Sequence, residues 1–212
     1  MENMLGRLVK AIADFSQETL GVLCDLAEKL SGNSRQEWLA ELKKFLRKEQ
    51  CWAGKAIIWQ TWKTIRIGSH RNIGSLKVGL KKAERQISGC ADDILNKITL
   101  SGVEEDIELI LVSVRDLGFK NGATCKEIFD RAFEMGLGLC PAEVGPQLAL
   151  QYLDQPLGEW LLIAMEPISD SDGVLHLFLV VRVGDGLWLR TYYGNPDNFW
   201  DPGDRFVCVR RK

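Results

Sequence analysis

The chain has 212 residues, 46% of them hydrophobic and 26% charged, with a net charge of −2. That length supports one large domain or two small ones around a buried core, and the composition is that of an ordinary soluble globular protein. No apolar run approaches the ~20 residues that a membrane-spanning helix needs, and Asp14, Glu18 and Asp25 interrupt any signal-peptide core, so the expected location is cytoplasmic.

The small net charge hides an asymmetry. Residues 1–100 carry 17 Lys and Arg against 11 Asp and Glu, and residues 101–212 carry 10 against 18. Residues 35–85 are the most basic stretch, with 13 against 4. Halves of opposite charge usually belong to different structural units. The expected organisation is α+β: a helical N-terminal region over 1–100 and an α+β domain with an antiparallel sheet over 101–212.

Leu5, Leu8, Val9, Ile12, Phe15, Leu20, Leu23, Leu26 and Leu30 recur at helical spacing and predict a helix over 3–30. "SGN" at 31–33 ends it. Ser34 and Glu37 read as a capping box opening a second helix, with Trp38, Leu39, Leu42, Phe45 and Leu46 on its apolar side. Lys43, Lys44, Arg47 and Lys48 suit its solvent side and C-terminal end. The two helices are expected to form a hairpin. Residues 50–74 form a Trp-rich basic connector, in which "KTIRIG" fits a short strand. Ser75 to Ile98 reads as a further helix with a break near "SGC" at 88–90.

The pattern changes after residue 101. "IELILVSV" (107–114) is a strand. Thr124 and Glu127 form a second capping box, followed by the inward residues Ile128, Phe129, Ala132 and Phe133 and a stop at Gly136 or Gly138. "AEVGPQLALQYL" is a short helix or turn. Four β stretches follow: "EWLLIAMEPI", "VLHLFLVVRV", "GLWLRTYY" and "RFVCVRR". The turns "SDSDG" (169–173) and "GDG" (184–186) join hairpins. The second half thus reads β-α-α-β-β-β-β.

That order, with "LGLCPAEVGPQLAL" after the first helix and "LRTYYGNPDNFWDPGDRFVCVRR" at the end, resembles the C-type-lectin-like fold. It resembles in particular the form found in formylglycine-generating-enzyme relatives and in variable proteins of diversity-generating retroelements. "GDGLWLR" stands where that group has RGGSW. The resemblance covers roughly 103–212 and implies a scaffold that presents a C-terminal ligand-binding segment. The formylglycine-generating relatives use a cysteine pair near the C-terminus; here Cys208 stands alone, so that activity is not implied. The whole chain, through "LKKFLRKE", "CPAEVGPQL" and "RFVCVRRK", also resembles an uncharacterised family of small bacterial proteins with no assigned activity.

The residues of that segment suit recognition. Tyr and Trp give rigid contact area, Asn and Gly adaptable hydrogen bonding, and Pro196 and Pro202 restrain the loop in advance. Tyr and Asp are also products of replacing adenines in an Asn codon. The expected ligand-binding face is Arg190, Thr191, Tyr192, Tyr193, Asn195, Asp197, Asn198, Phe199, Trp200, Asp201 and Asp204. Its ligand would be a protein or other macromolecule. The alternative is a polar loop closing a sheet, with Trp200 and Phe206 in the core.

Other constellations are weaker. Six cysteines are scattered singly, without C-x-x-C, and His70 and His176 lie near none of them in sequence. This is poor zinc spacing and reads as buried, reduced thiols. Glu166, Asp170 and Asp172 could hold calcium, but Asp-Ser-Asp-Gly is an ordinary hairpin turn. No cofactor and no metal are expected. Cys140 at a helix end, or a thiol with His70 or His176, is the basis of a cysteine-enzyme or hydrolase alternative. His176 itself suits a sheet interior. No nucleotide-binding or protease motif is present. Residues 35–85, with Trp52, Trp59 and Trp62, could contact phosphates and bases, although nucleic acid is a less favoured partner than self-association of the N-terminal helices.

Overall fold

The structure is a computed structural model that describes residues 15–47 and 58–211, together with Gly6, Ile12 and Ala13. Most of the first half of the expected 3–30 helix, and the stretch with Cys51 and Trp52, lie outside the described residues. The chain divides into two compact units, Met1–Ala56 and Ile57–Lys212. No helix among the described residues is long and apolar enough to cross a membrane.

In the first unit, helix α1 is Gln17–Ser31 and α2 is Arg35–Leu46, and the two pack against each other. Ser16 is extended and its Oγ accepts the Thr19 N–H at 3.2 Å, which caps the helix that begins at Gln17. The expected Ser34 capping box is not formed. Ser34 has φ −90° and ψ 18°, and its hydroxyl makes no capping bond; a side-chain N-cap favours extended backbone. No residue of α2 is buried.

The second unit contains β1 Lys63–Ile67, α3 Ile73–Lys82, β2 Arg85–Ile87, α4 Gly89–Leu95, β3 Glu105–Ser113, β4 Ala123–Thr124, α5 Cys125–Glu134, β5 Leu137–Gly138 and α6 Val144–Gln151. It continues with β6 Trp160–Ile163, β7 Ile168–Ser169, β8 Leu175–Val183, β9 Gly186–Tyr193, β10 Phe199–Trp200 and β11 Arg205–Arg210. The fold is α+β, with the elements between residues 63 and 95 in the same unit as the C-terminal sheet.

The helix expected over 75–98, with a break near 88–90, is two helices around a strand, and the strand precedes the expected break. Asn72 opens α3: its Oδ1 accepts the Ser75 N–H at 2.8 Å, and Ser75 Oγ accepts the Asn72 N–H at 3.3 Å. Glu84 (φ 55°) turns the chain, and Arg85–Ile87 pair with Leu187–Leu189 of β9. Ser88 then caps α4. The Thr124–Glu127 box is formed in both directions.

The main sheet runs β1-β3-β11-β6-β8-β9-β2, with β5 beside β11 and β7 beside β8. It is mixed rather than antiparallel. The pairs β11–β6 and β9–β2 are parallel because the last strand returns between β3 and β6 and β2 joins the far edge. Phe206, Leu162 and Leu179 are register partners and share one face. Phe178, adjacent to Leu179, takes the other. Helix α6 lies on the Phe178 face, close enough that a Cβ on Gly145 would come within 2.7 Å of the Phe178 side chain. Helix α5 lies on the Phe206 face, where Phe129 meets Phe206 edge-on at 6.1 Å.

Glu143, the N-cap residue of α6, falls on one stripe with Gln147 and Gln151 of the helix. Glu143 is only 1% exposed. Its Oε1 accepts the Gly68 N–H at 2.8 Å and Gln147 Nε2 at 2.9 Å, and its Oε2 accepts the Ser101 N–H at 2.6 Å. Gln151 accepts the Arg66 N–H at 2.9 Å and donates to the Arg66 carbonyl at 2.7 Å. It thereby covers the open edge of β1, which would otherwise present unpaired backbone groups.

Glu143→Ala strands two backbone N–H groups and is expected to cost roughly 2–5 kcal/mol of stability. Thermal unfolding checks this, at about 2–4 °C per kcal/mol for a chain of this size. Glu105→Ala, at an exposed position, is expected to stay within about 0.5 kcal/mol.

Candidate functional site: an aromatic cleft at the C-terminal loop

The stretch between β9 and β11 is tied down through its backbone. The Asn198 and Pro196 carbonyls accept the Cys125 and Lys126 N–H groups at 2.8 and 3.0 Å, which satisfies donors in the first turn of α5. β10 pairs with β4, matching Phe199 to Thr124 and Trp200 to Ala123. Gly122 (φ 88°) makes this pairing possible, since a Cβ there would lie 2.5 Å from the Trp200 carbonyl oxygen and 2.6 Å from the Phe199 ring. Further on, Asp204 Oδ2 accepts the Asp201 N–H at 2.8 Å, and the Pro202 and Asp204 carbonyls accept the Arg115 and Val114 N–H groups, both at 3.0 Å.

With the backbone committed, the side chains divide. Tyr192, Tyr193, Asn195, Asp197, Phe199 and Asp201 are exposed. Arg190, Thr191, Asn198 and Asp204 are half-buried. Trp200 is 4% exposed and packs on Phe206 at 5.4 Å and Tyr192 at 5.0 Å. Its indole is thus in the core, as the alternative reading of the loop requires, while its neighbours face outward.

Strand alternation separates the β9 residues into two groups. Arg190, which stacks on Trp188 at 4.4 Å, and Tyr192 lie on the Trp200 face. Thr191 and Tyr193 lie on the opposite face, where Tyr193 is the register partner of His176 and stacks on it at 6.0 Å. The eleven residues therefore do not form one continuous surface.

The Trp200 face carries a cleft of about 390 Å³. Tyr192, Phe199, Trp200, Asp201 and Asp204 line it, joined by Gly158, Trp160, Leu162, Gly203 and Arg205. Trp160, Tyr192 and Phe199 are 47%, 41% and 59% exposed, so three large rings border one opening above a buried fourth. Arg205 Nη2 is held 3.1 Å from Glu159 Oε1. Burial, with Glu159 nearby, pushes the neighbouring Tyr152 hydroxyl up to about 12. Trp160 and Arg205 were not among the residues expected from sequence. Trp160 opens an apolar strand, and nothing in its local pattern marks it: Leu162, of the same parity, is buried while Trp160 is exposed.

The chemistry of the other candidates is limited by their surroundings. Burial pushes the Cys125 thiol up to about 11 and Cys208 to about 12, and it holds fully enclosed Cys140 well above the ordinary thiol range. Cys140 Sγ donates to the Val207 carbonyl at 3.3 Å. A thiol so placed stays protonated and is a poor nucleophile. Asp170 is engaged as well. Its Oδ1 accepts the Asp172 and Val174 N–H groups, both at 2.9 Å, and its Oδ2 lies 2.8 Å from His176 Nε2. In the basic segment, Trp59 Nε1 donates to the Met135 carbonyl at 2.9 Å, and Trp62 meets Tyr152 edge-on at 5.2 Å. Arg66 pairs with Asp106 at 2.9 Å, and Lys77 with Asp92 at 2.5 Å. These groups are occupied within the fold.

Compared with known proteins, the chain matches no family model, no curated protein and no solved structure.

Alkylation of the native protein at neutral pH is expected to label Cys24 and Cys90, which are exposed, and to spare Cys125, Cys140 and Cys208 until the chain unfolds. Peptide mass spectrometry checks this; rapid labelling of native Cys140 would restore it as a candidate nucleophile.

Proposed function

We propose that the protein is a non-enzymatic binding module whose ligand docks in the aromatic cleft bordered by Trp160, Tyr192 and Phe199. The observation that carries this reading is the exposure of three large rings around one opening, Trp160 from β6, Tyr192 from β9 and Phe199 from the loop whose backbone is already committed. Loops held in advance lose little freedom on binding, and Tyr and Trp are the side chains that anchor such contacts. Asp201, Asp204 and Arg205 add polar and charged groups at the rim. A protein, peptide or oligosaccharide that combines an apolar face with hydrogen-bond donors fits this lining.

In this reading the second unit is a lectin-like scaffold for a displayed, diversified surface. The chain order β3-α5-α6-β6-β8-β9-β11 supports it, and the two parallel strand pairs count against a purely antiparallel version. The α1–α2 hairpin serves self-association. Val22, Phe45 and Leu46 are exposed on it, and α2 buries no side chain.

Peptide and oligosaccharide arrays test the proposal. A ligand held by the native chain is expected to lose at least tenfold in affinity, about 1.4 kcal/mol, in Tyr192→Ala or Phe199→Ala, with the thermal midpoint lowered by no more than about 2–4 °C. No retained ligand, or one that survives both substitutions, would contradict it. Sequencing codons 190–204 across the source population tests diversification separately; uniform codons would remove that part of the proposal and leave the cleft.

A further inference from the structure

On the sheet face away from the aromatic cleft, the β7–β8 turn meets helix α4. Two polar contacts draw them together: the Ser171 N–H donates to Asp93 Oδ2 at 2.6 Å, and Lys97 Nζ donates to the Ser169 carbonyl at 2.8 Å. Cys90, in the first turn of α4, is thereby brought against the Asp170–His176 pair. One donor atom each from Cys90, Asp170 and His176 lie within 4.8 Å of one another. His176 is 6% exposed, and its Nδ1 is buried without a partner.

We propose that Cys90, Asp170 and His176 form a binding site for a divalent transition-metal ion, with Zn²⁺ the best match. A thiolate, an imidazole nitrogen and a carboxylate oxygen are the three donor types that zinc takes, whereas calcium and magnesium take oxygen alone. At bond lengths of about 2.0–2.2 Å, a tetrahedral ion holds its nitrogen and oxygen ligands roughly 3.3 Å apart. The His176 Nε2–Asp170 Oδ2 pair, now at 2.8 Å, has only to open slightly. The Asp172 and Val174 N–H groups already orient the carboxylate from behind, as outer-shell partners do in metal sites. Because Cys90 is exposed, the fourth position opens to solvent.

The protons balance simply. The ion takes the place of the hydrogen between Nε2 and Oδ2, the neutral ring carries its proton on Nδ1, and the Cys90 thiol proton leaves to solvent. The ion would clamp α4 to the turn and fix the ring on which Tyr193 stacks. The proposal does not depend on the aromatic cleft being a binding site.

The test uses the full chain with Cys24→Ser and Cys51→Ser, so that Cys90 is the exposed thiol among the described residues. Titration with Co²⁺ is expected to give one equivalent of a four-coordinate visible spectrum with a thiolate charge-transfer band. Zn²⁺ should displace the Co²⁺ and protect Cys90 from alkylation. Cys90→Ser, at an exposed position that leaves the fold intact, is expected to abolish the band and weaken binding by more than the about 10- to 100-fold that loss of an outer-shell partner costs. No thiolate band, a band that persists in Cys90→Ser, or alkylation unchanged by Zn²⁺ would overturn the proposal and leave Asp170–His176 as a hydrogen bond that pins the turn.

Discussion

The carboxyl group of Glu143 is the constraint around which the second unit is arranged. It sits at the start of α6, enclosed by protein, and accepts from Gly68, Ser101 and Gln147. A buried carboxyl group is costly unless its oxygens are satisfied. Satisfying them fixes three pieces of chain at once: the loop after β1, the connector into β3, and α6 itself. Gln151 extends the same stripe to the edge of β1, and Gly145 brings α6 directly onto Phe178 at the centre of the sheet. The order of the central strands, with β11 between β3 and β6, is built against this helix.

The far face of that sheet carries the proposed binding cleft. Because β11 is central, Phe206 is buried and Trp200 has a floor to stand on. Because Trp200 is anchored, the loop before it can spend its carbonyls on the N-terminus of α5 and turn Tyr192 and Phe199 outward. The buried and displayed halves of the same short stretch depend on one another. The rigid backbone is what allows exposed rings to stand around an opening rather than collapse into it. Exposed aromatic groups on a fixed frame are the physical basis of the binding proposal.

Much of this was legible from local pattern. Thr124 and Glu127 form their box because every atom involved lies within one helical turn. The strands from 105 onward follow from runs of apolar residues between turn signals. Ser34 and Glu37 show the same letters without the result, since capping depends on a backbone angle that the letters do not specify. β2 escaped because three residues are too few to distinguish strand from helix, and its pairing with β9 is a long-range choice. The composition of residues 190–204 pointed to a contact surface, but its division between two faces follows from strand parity and register. Trp160 joins the cleft only through the β6–β8 and β6–β11 pairings. Cys90 and His176 are distant in sequence, so no spacing rule brings them together. The Glu-Gln-Gln stripe of α6 was present at a spacing of four, but nothing in its local pattern says that the edge of β1 meets it.

The central claim is that the outward residues of 190–206 are free of duties to the fold and the inward ones are not. Saturation mutagenesis of this stretch with a folding-stability readout tests it most directly. The account predicts broad tolerance at Tyr192, Asn195, Asp197, Phe199 and Asp201, with losses of about 3–5 kcal/mol for Trp200→Ala and intolerance at Gly194, which packs against Leu177 and Pro167. If Tyr192 and Phe199 proved as intolerant as Trp200, the rings would belong to the core's own closure, and the stretch would be an ordinary loop rather than a display surface.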